Sequence, residues 1–305
     1  MTTTRTDTAG SPSAALLADA TRLGGVELTV TDLDRSLAFY TGVIGLSVRE
    51  RDGRFAALGA GGKDLVTLRV DPSAQRAGRD AGLYHYALLF AGREELARVA
   101  RRVAESRTRI DGASDHGTHE AIYLPDPDGI GIELAADRPR EQWPDVRGGD
   151  LFTGGPQPLD LSALFATIGD EQPSPLAAAG LRMGHIHLHV GELDRATAFY
   201  RDGLGFEVMA TLPTAVFVAA GGYHHHVAYN VWRGAGVGPA PANVVGLRHW
   251  TLITANAAER DAVRGRLASL GVALEQCDPS SPSIAADAAG ATLARDPFGI
   301  AVLIR

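Results

Sequence analysis

The sequence predicts an α+β protein made of four βαβββ modules that pair into two curved-sheet, half-barrel domains. The first observation is a repeat. GGVELTVTDLDRSLAFYTGVIGL, starting at Gly24, returns 160 residues later as GHIHLHVGELDRATAFYRDGLGF from Gly184, and the offset holds through Ala60-Gly61-Gly62 and Ala220-Gly221-Gly222. Whole units were therefore duplicated. The second is another pair of units, in which GLYHYALLF (Gly82 to Phe90) matches GLRHWTLIT (Gly246 to Thr254). Each of these ends in a DPxGI turn, at Asp126 and Asp296, that leads into a strand. The third is strand-type alternation, in which Ile186, Leu188 and Val190 interleave with His185, His187 and His189.

The third module shows how each element arises. Its first strand has one apolar and one histidine face. Glu192 to Tyr200 reads as a helix, with Ala196, Phe199 and Tyr200 at i, i+3 and i+4 and with Gly203 and Gly205 as the stop. FEVMATLP, AVFVAAGG and YHHHVAYNVW then read as three short strands separated by turns. Asp32, Asp34 and Arg35 are helix-start and surface residues in the first module. By this pattern the modules occupy 23–72, 82–137, 183–233 and 246–305, after a loose small-and-polar tail at 1–22. The linker 138–182 is rich in proline and glycine, long enough to cross between modules, and is expected to touch the cleft through Trp143 and Phe152. RGAGVGPAPANVVG is a second, flexible connection.

A curved sheet with one helix outside cannot close a core alone, so modules must pair, and side chains then converge on a shared concave cleft. At 305 residues and 45% hydrophobic, the chain is large enough for two cores. The net charge of −7 offers no attraction to nucleic acid or anionic membrane. The locally basic RVARRVAESRTR reads as a solvated helix face. The single cysteine, Cys277, fits a reducing cytoplasm and is expected to be an incidental thiol. No apolar run approaches the roughly 20 residues of a membrane span, and the amino terminus lacks the apolar core of a signal peptide. The GxG segments lack the strand and helix context of a dinucleotide site, so no nucleotide cofactor is expected.

The copies differ most in histidine. Gly25 corresponds to His185, and the second GG is soon followed by His224-His225-His226 where the first is followed by Leu65-Val66. The quadruple pattern, the DLDRSLAFY and ELDRATAFY segments and the DPDGIGIEL ending resemble the vicinal oxygen chelate superfamily of glyoxalases, bleomycin- and fosfomycin-resistance proteins and extradiol dioxygenases. Within it, GLYHYALL, SDHGTHEAIYLPDPDGIGIELAADRP, GHIHLHV and AGGYHHHVAYNVW are similar to catechol 2,3-dioxygenases.

That resemblance implies metal ligands early in the first strand and in the last strand of a module. The corresponding positions are Gly25, His85, His185 and His249, with Glu133 and Leu303 at the last-strand positions. Modules one and two together, or three and four, leave the set of two histidines and one glutamate incomplete. Pairing module two with three yields His85, His185 and Glu133, so modules 2+3 are expected to form the catalytic half and 1+4 the structural half. Two imidazoles and a carboxylate on one face of Fe(II), or of Mn(II), leave open positions for substrate and O2. His187 and His189 share the strand face without being assigned as ligands.

The resemblance further implies His225 as acid/base, chosen by counting back from Ala228 on the last strand of module three, with His224 and His226 facing away unless a bulge shifts the parity. His116 and Tyr123 are implied to contact substrate oxygens or bound O2. The expected activity is extradiol cleavage of a catechol-type ring by a cytoplasmic enzyme whose partners are a small aromatic diol and O2, with sheet edges available for homo-oligomer formation. Runner-up readings are a hydroquinone-cleaving or other metal-dependent enzyme of the superfamily, and a non-catalytic aromatic-binding or resistance protein.

Overall fold

The computed structural model describes residues 16–145, 155–172, 174–276 and 291–305. Most of the amino-terminal tail, Phe152 and Cys277 lie outside the described residues. Four units share the order strand, helix, three strands. The first contains β1 (Arg22–Val30), α1 (Leu33–Phe39), β2 (Ser47–Arg51), β3 (Phe55–Ala60) and β4 (Lys63–Val70); the second contains β5 (Gly82–Phe90), α2 (Arg93–Glu105), β6 (Gly112–Asp115), β7 (His119–Pro125) and β8 (Gly131–Asp137). A connection carrying β9 (Gln157–Pro158) and α3 (Leu161–Ala166) leads to the third, with β10 (Arg182–His189), α4 (Leu193–Thr197), β11 (Glu207–Leu212), β12 (Ala215–Ala219) and β13 (Val227–Asn230). The last has β14 (Gly246–Ile253), α5 (Ala257–Ser269), β15 (Leu274–Gln276), β16 (Thr292–Arg295) and β17 (Ala301–Ile304).

These strands form two open, mixed sheets. One runs β15-β16-β17-β14-β1-β4-β3-β2, and the other β11-β12-β13-β10-β5-β8-β7-β6-β9. The seam of the second is β5 against β10, antiparallel, and the seam of the first is β1 against β14. Both seams carry the same two irregularities. Gly184 and His185 together oppose Ala87, and Tyr84 is an extra residue opposite the His187–Leu188 step. In the other sheet Gly24 and Gly25 oppose Thr251, and Arg248 is the extra residue. Such bulges bend a strand and re-aim side chains. One apolar cluster spans both sheets, taking in Leu28, Leu88, Leu188 and Leu252 from the four first strands.

Polar clamps, also duplicated, tie unit to unit across the sheets. After α1 and α4 the chain widens into π-helical turns, Tyr40–Ile44 and Ala198–Leu204, each ended by a glycine in the left-handed region (Gly45 φ 87°, Gly205 φ 96°). This corrects the expectation of a regular helix to Tyr200. The buried hydroxyls of Tyr40 and Tyr200 donate to Asp126 and Asp296 of the DPxG turns, at 3.1 and 3.0 Å. Arg102 of α2 donates to the carbonyls of Val43 and Ile44, and Arg266 of α5 to those of Gly203 and Leu204. The basic helix is therefore not uniformly solvated, because Arg102 is buried.

The tail boundary also moves, since Leu17 is buried and its N–H donates to Gly205 O. In the connection, Trp143 packs against His224 and Tyr223, β9 extends the sheet edge beside β6, and α3 lies on α2. Among the described residues, no helix is long and apolar enough to cross a membrane.

Burial raises both Asp126 and Asp296 to about 6, against the lowering effect of the backbone N–H groups each accepts. Because the folded value lies above the unfolded one, the folded state favours the protonated form. The associated stability is complete below the unfolded value, near pH 4, and is lost as pH rises through about 6. Asp296→Asn should remove that residue's share of the dependence and leave the share of Asp126, so urea denaturation at about pH 4 and about pH 7 should show the variant gaining about 2–3 kcal/mol relative to wild type across the interval. A constant difference would disprove the assignment.

Candidate metal centre and aromatic cup

The concave face of the second sheet gathers imidazoles around one carboxylate. Glu133 on β8 and His185 in the β10 bulge flank Ala87, whose small side chain leaves the space between them open. His85 projects beside them from β5. The Nε2 atoms of His185 and His85 lie 2.9 and 3.1 Å from Glu133 Oε2. One donor atom from each of the three residues falls within 4.8 Å of the others, and all three residues are buried. Separations near 3 Å suit adjacent ligands of a metal at about 2.1 Å, since neighbouring donors at right angles then sit about 3.0 Å apart. The other carboxylate oxygen, Oε1, makes no aligned hydrogen bond among the described residues although His119 Nε2 is 3.1 Å away. A buried charged carboxylate needs compensation, and a cation at this point supplies it. The donor set fits a divalent transition metal.

Burial opposes ionisation of Glu133, but His185, His119 and His85 together outweigh it and hold the carboxyl well below its usual range. Burial lowers His185, with Glu133 acting in the opposite sense. Neutral imidazoles beside an ionised carboxylate are the protonation states that ligation requires.

The remaining sequence-derived residues also come to this face. His116 Nε2 and Tyr123 OH are hydrogen-bonded at 2.8 Å, and the rings of Tyr123 and His85 are 5.5 Å apart. Burial, then the neighbouring Glu133, pushes the Tyr123 phenol up, while burial and then His119 push His116 down to about 4. His225 lies over His185 with ring centres 4.1 Å apart. The His224–His226 run is not on the last strand, because β13 begins at Val227. The run instead follows the turn at Gly221 and Gly222, both in the left-handed region (φ 61° and 63°). Without a ladder to impose period two, His224 and His225 turn to the same side and their Nδ1 atoms meet at 2.8 Å. Only His226 turns elsewhere, packing against Phe206 and Tyr223.

His187 and His189 share one anchor. Asn230 donates through Nδ2 to His187 Nε2 at 2.9 Å and accepts through Oδ1 from His189 Nδ1 at 2.8 Å. Burial holds His187 well below its ordinary value. Neither belongs to the donor group of His85, His185 and Glu133, and both line the wall of the cup.

Sequence reasoning passed over several contributors. Tyr84 is brought to the cup by the β5 bulge, where it contacts the rings of His85, His187, His189 and Trp232. Phe217 closes the wall between His187 and His225. His119 stacks between His116 and His224, 4.6 Å from each and nearly parallel to both. Its place beside His116 in SDHGTH was the available signal.

Among the described residues, the equivalent face of the other sheet has no such set. Gly25 stands where the second copy has His185, and a Cβ there would lie 3.0 Å from Leu65 O, while Leu303 replaces the glutamate beside Thr251. His249 remains opposite Glu27, which accepts from Arg69 and Arg248. A separate cleft of about 810 Å³ between the sheets, lined by both DPxG turns, borders the imidazole cluster through Tyr84 and Gly131.

This duplicated fold, with its histidine–carboxylate centre on a concave sheet, defines a class of small-molecule metalloproteins. The chain belongs to the Glyoxalase/Bleomycin resistance protein/Dioxygenase superfamily, whose family model matches residues 22–134 and 182–304. It is 40% identical over 265 residues to a catechol-2,3-dioxygenase of Bacillus subtilis strain 168, covering 85% of this chain and 92% of the relative. A crystal structure from Bacillus subtilis subsp. subtilis strain 168, of a protein provisionally described as a dioxygenase, superposes with a TM-score of 0.66 at 14% identity over 95% of this chain and 86% of that one. Glyoxalase I from Zea mays superposes with a TM-score of 0.56 at 19% identity over 93% and 92% of the two chains.

Alanine at His85, His185 or Glu133 should reduce bound metal from about one ion per chain to below roughly a tenth, since each removes one of three protein ligands. His249→Ala should leave it unchanged. Metal analysis of the purified variants decides this, and loss in His249→Ala with retention in His85→Ala would overturn the assignment.

Proposed function

We propose that this protein is an Fe(II)-dependent extradiol dioxygenase that opens a catechol-type ring with O2, and that Mn(II) can occupy the same ligands. The observation carrying this reading is the His85, His185 and Glu133 set placed at the floor of a cup walled by Tyr84, His187, Phe217 and Trp232. Three protein ligands on one side leave room for two reactants, and flat aromatic walls suit a flat aromatic substrate. The 40% identity to a catechol-2,3-dioxygenase supports the same chemistry. On this reading the sheet of units two and three is the catalytic half and the other the structural half.

When bound, the metal would lower the pKa of a coordinated hydroxyl and bring the diol and O2 together. The side chains divide the remaining work. His225 accepts a proton from the substrate hydroxyl and returns it later. Burial, followed by the proximity of His185 and His224, holds its imidazole well below the ordinary value, so it is neutral and able to accept at neutral pH. Tyr123 remains a protonated phenol because burial raises it, and with His116 as its partner it serves as a hydrogen-bond donor to reacting oxygen. Tyr84 and Trp232, about half exposed at the rim, are positioned to cover the ring of the substrate.

Protein reconstituted anaerobically with Fe(II) should consume one O2 per catechol and form a yellow ring-opened product. His225→Gln should lower kcat by about 100-fold with KM changed only a few-fold, the usual scale of a lost acid/base group. Tyr123→Phe should cost about 10-fold. Absence of O2 uptake by metal-loaded protein across catechol, substituted catechols and hydroquinone would replace this reading with that of a binding protein.

A further inference from the structure

The His225 ring is the last member of a hydrogen-bonded chain that begins outside the metal centre. Asp137, at the end of β8, accepts from Tyr223 OH at 3.1 Å through both oxygens and pairs with Arg182 at 3.7 Å. His224 Nε2 lies 3.3 Å from Asp137 Oδ1, and His224 Nδ1 lies 2.8 Å from His225 Nδ1. A neutral imidazole has one donor and one acceptor nitrogen. Asp137 accepts from Tyr223 on both oxygens, is paired with the Arg182 cation and is the acceptor toward His224, so His224 carries its hydrogen on Nε2 and presents a bare Nδ1. His225 must then donate from its own Nδ1, and its Nε2, on the opposite edge of the ring, is left as the acceptor.

We infer that Asp137, acting through His224, is a positioning residue that fixes the tautomer of His225, holding hydrogen on Nδ1 and leaving Nε2 bare to receive the substrate proton. The inference rests on the acid/base reading of His225 for its consequence, but its tautomer assignment stands apart from activity. It distinguishes two adjacent histidines that look alike in the sequence, because His224 serves the chain and His225 serves the substrate. His119 stacks on the His224 ring and Trp143 meets it edge-on, contacts that hold the ring in place.

Asp137→Asn reverses the polarity with little change of shape. Tyr223 donates and Arg182 is a nearby cation, so the Asn oxygen turns to them and its amide N–H faces His224 Nε2. That nitrogen becomes the acceptor, His224 Nδ1 becomes the donor, and His225 takes its hydrogen on Nε2, the wrong edge for a base. Long-range 1H–15N correlation spectra of 15N-histidine-labelled protein, Zn(II)-loaded or metal-free and so diamagnetic, read the tautomers directly. Signals are assigned with His224→Gln and His225→Gln.

The expected result is hydrogen on Nδ1 of His225 in wild type and in Asp137→Glu, and on Nε2 in Asp137→Asn. Hydrogen on Nε2 of His225 in wild type, or an unchanged tautomer in Asp137→Asn, overturns the inference; the wild-type spectrum decides alone should the variant not fold. With Fe(II), Asp137→Asn should lower kcat about 10- to 100-fold with KM within about threefold. Asp137→Glu should restore most of the loss, and in a His225→Gln background Asp137→Asn should cost almost nothing further. Equal losses in both backgrounds overturn the chain. Full kcat in His225→Gln would instead refute the acid/base reading, leaving the tautomer result to stand by itself.

Discussion

One buried carboxylate organises the concave face. Glu133 is enclosed by protein, and an ionised carboxylate so placed is costly unless opposite or hydrogen-bonding groups meet it. His185 and His85 meet Oε2, and His119 stands beside Oε1. Each of these imidazoles depends on backbone placement achieved elsewhere. His185 requires the bulge opposite Ala87, and Glu133 requires the parallel register of β8 on β5. The seam between units two and three is therefore a condition for the centre, because neither unit alone supplies both sides of Ala87.

The other seam shows the same geometry without the chemistry. Its bulges are in the same places, but the residue matching His185 is Gly25, close against the backbone of Leu65, and the glutamate position holds Leu303. A histidine at Gly25 would bring its Cβ within 3.0–3.2 Å of the β4 backbone at Asp64 and Leu65, so that backbone would have to give way. Polar residues there satisfy one another, with Glu27 between Arg69 and Arg248. The two faces have diverged while the clamps joining them remain paired: Tyr40 with Asp126, Tyr200 with Asp296, and the arginines of α2 and α5 on the π-helical turns. Those clamps hold the scaffold and leave the concave faces free to change.

The repeat and the period-two alternation made the α+β fold legible, since both are properties of neighbouring residues. The same alternation could not reveal bulges. Tyr84 belongs by parity to the face opposite His85, yet the extra residue in β5 brings both to the cup. A similar failure affected the three consecutive histidines. Parity assigns alternating faces only where a ladder enforces it, and His224 and His225 precede the backbone bonds that His226 makes to Val218 and Ile186. Hydrophobic pattern gave no choice between pairing neighbouring units and pairing the second with the third; the expectation of the latter came from the positions of His85, His185 and Glu133 alone. His119 was missed because its role is to stack and approach Oε1, for which no spacing rule exists.

Histidine is abundant on this face for a reason that goes beyond metal ligation. Burial favours neutral imidazole over imidazolium, and His116, His187, His224 and His225 are all displaced in that direction. A neutral ring still has one donor and one acceptor, so a cluster of them can pass directional information without accumulating charge. Asn230 does this for His187 and His189, giving to one and taking from the other. Asp137 begins the corresponding sequence for His224 and His225. A lysine or arginine in these positions would bring a second buried cation beside the metal, and a serine would not span the distance. Imidazole alone among the side chains is flat enough to stack, neutral enough to be buried in numbers, and two-sided enough to carry a proton's direction from the edge of the sheet to its centre.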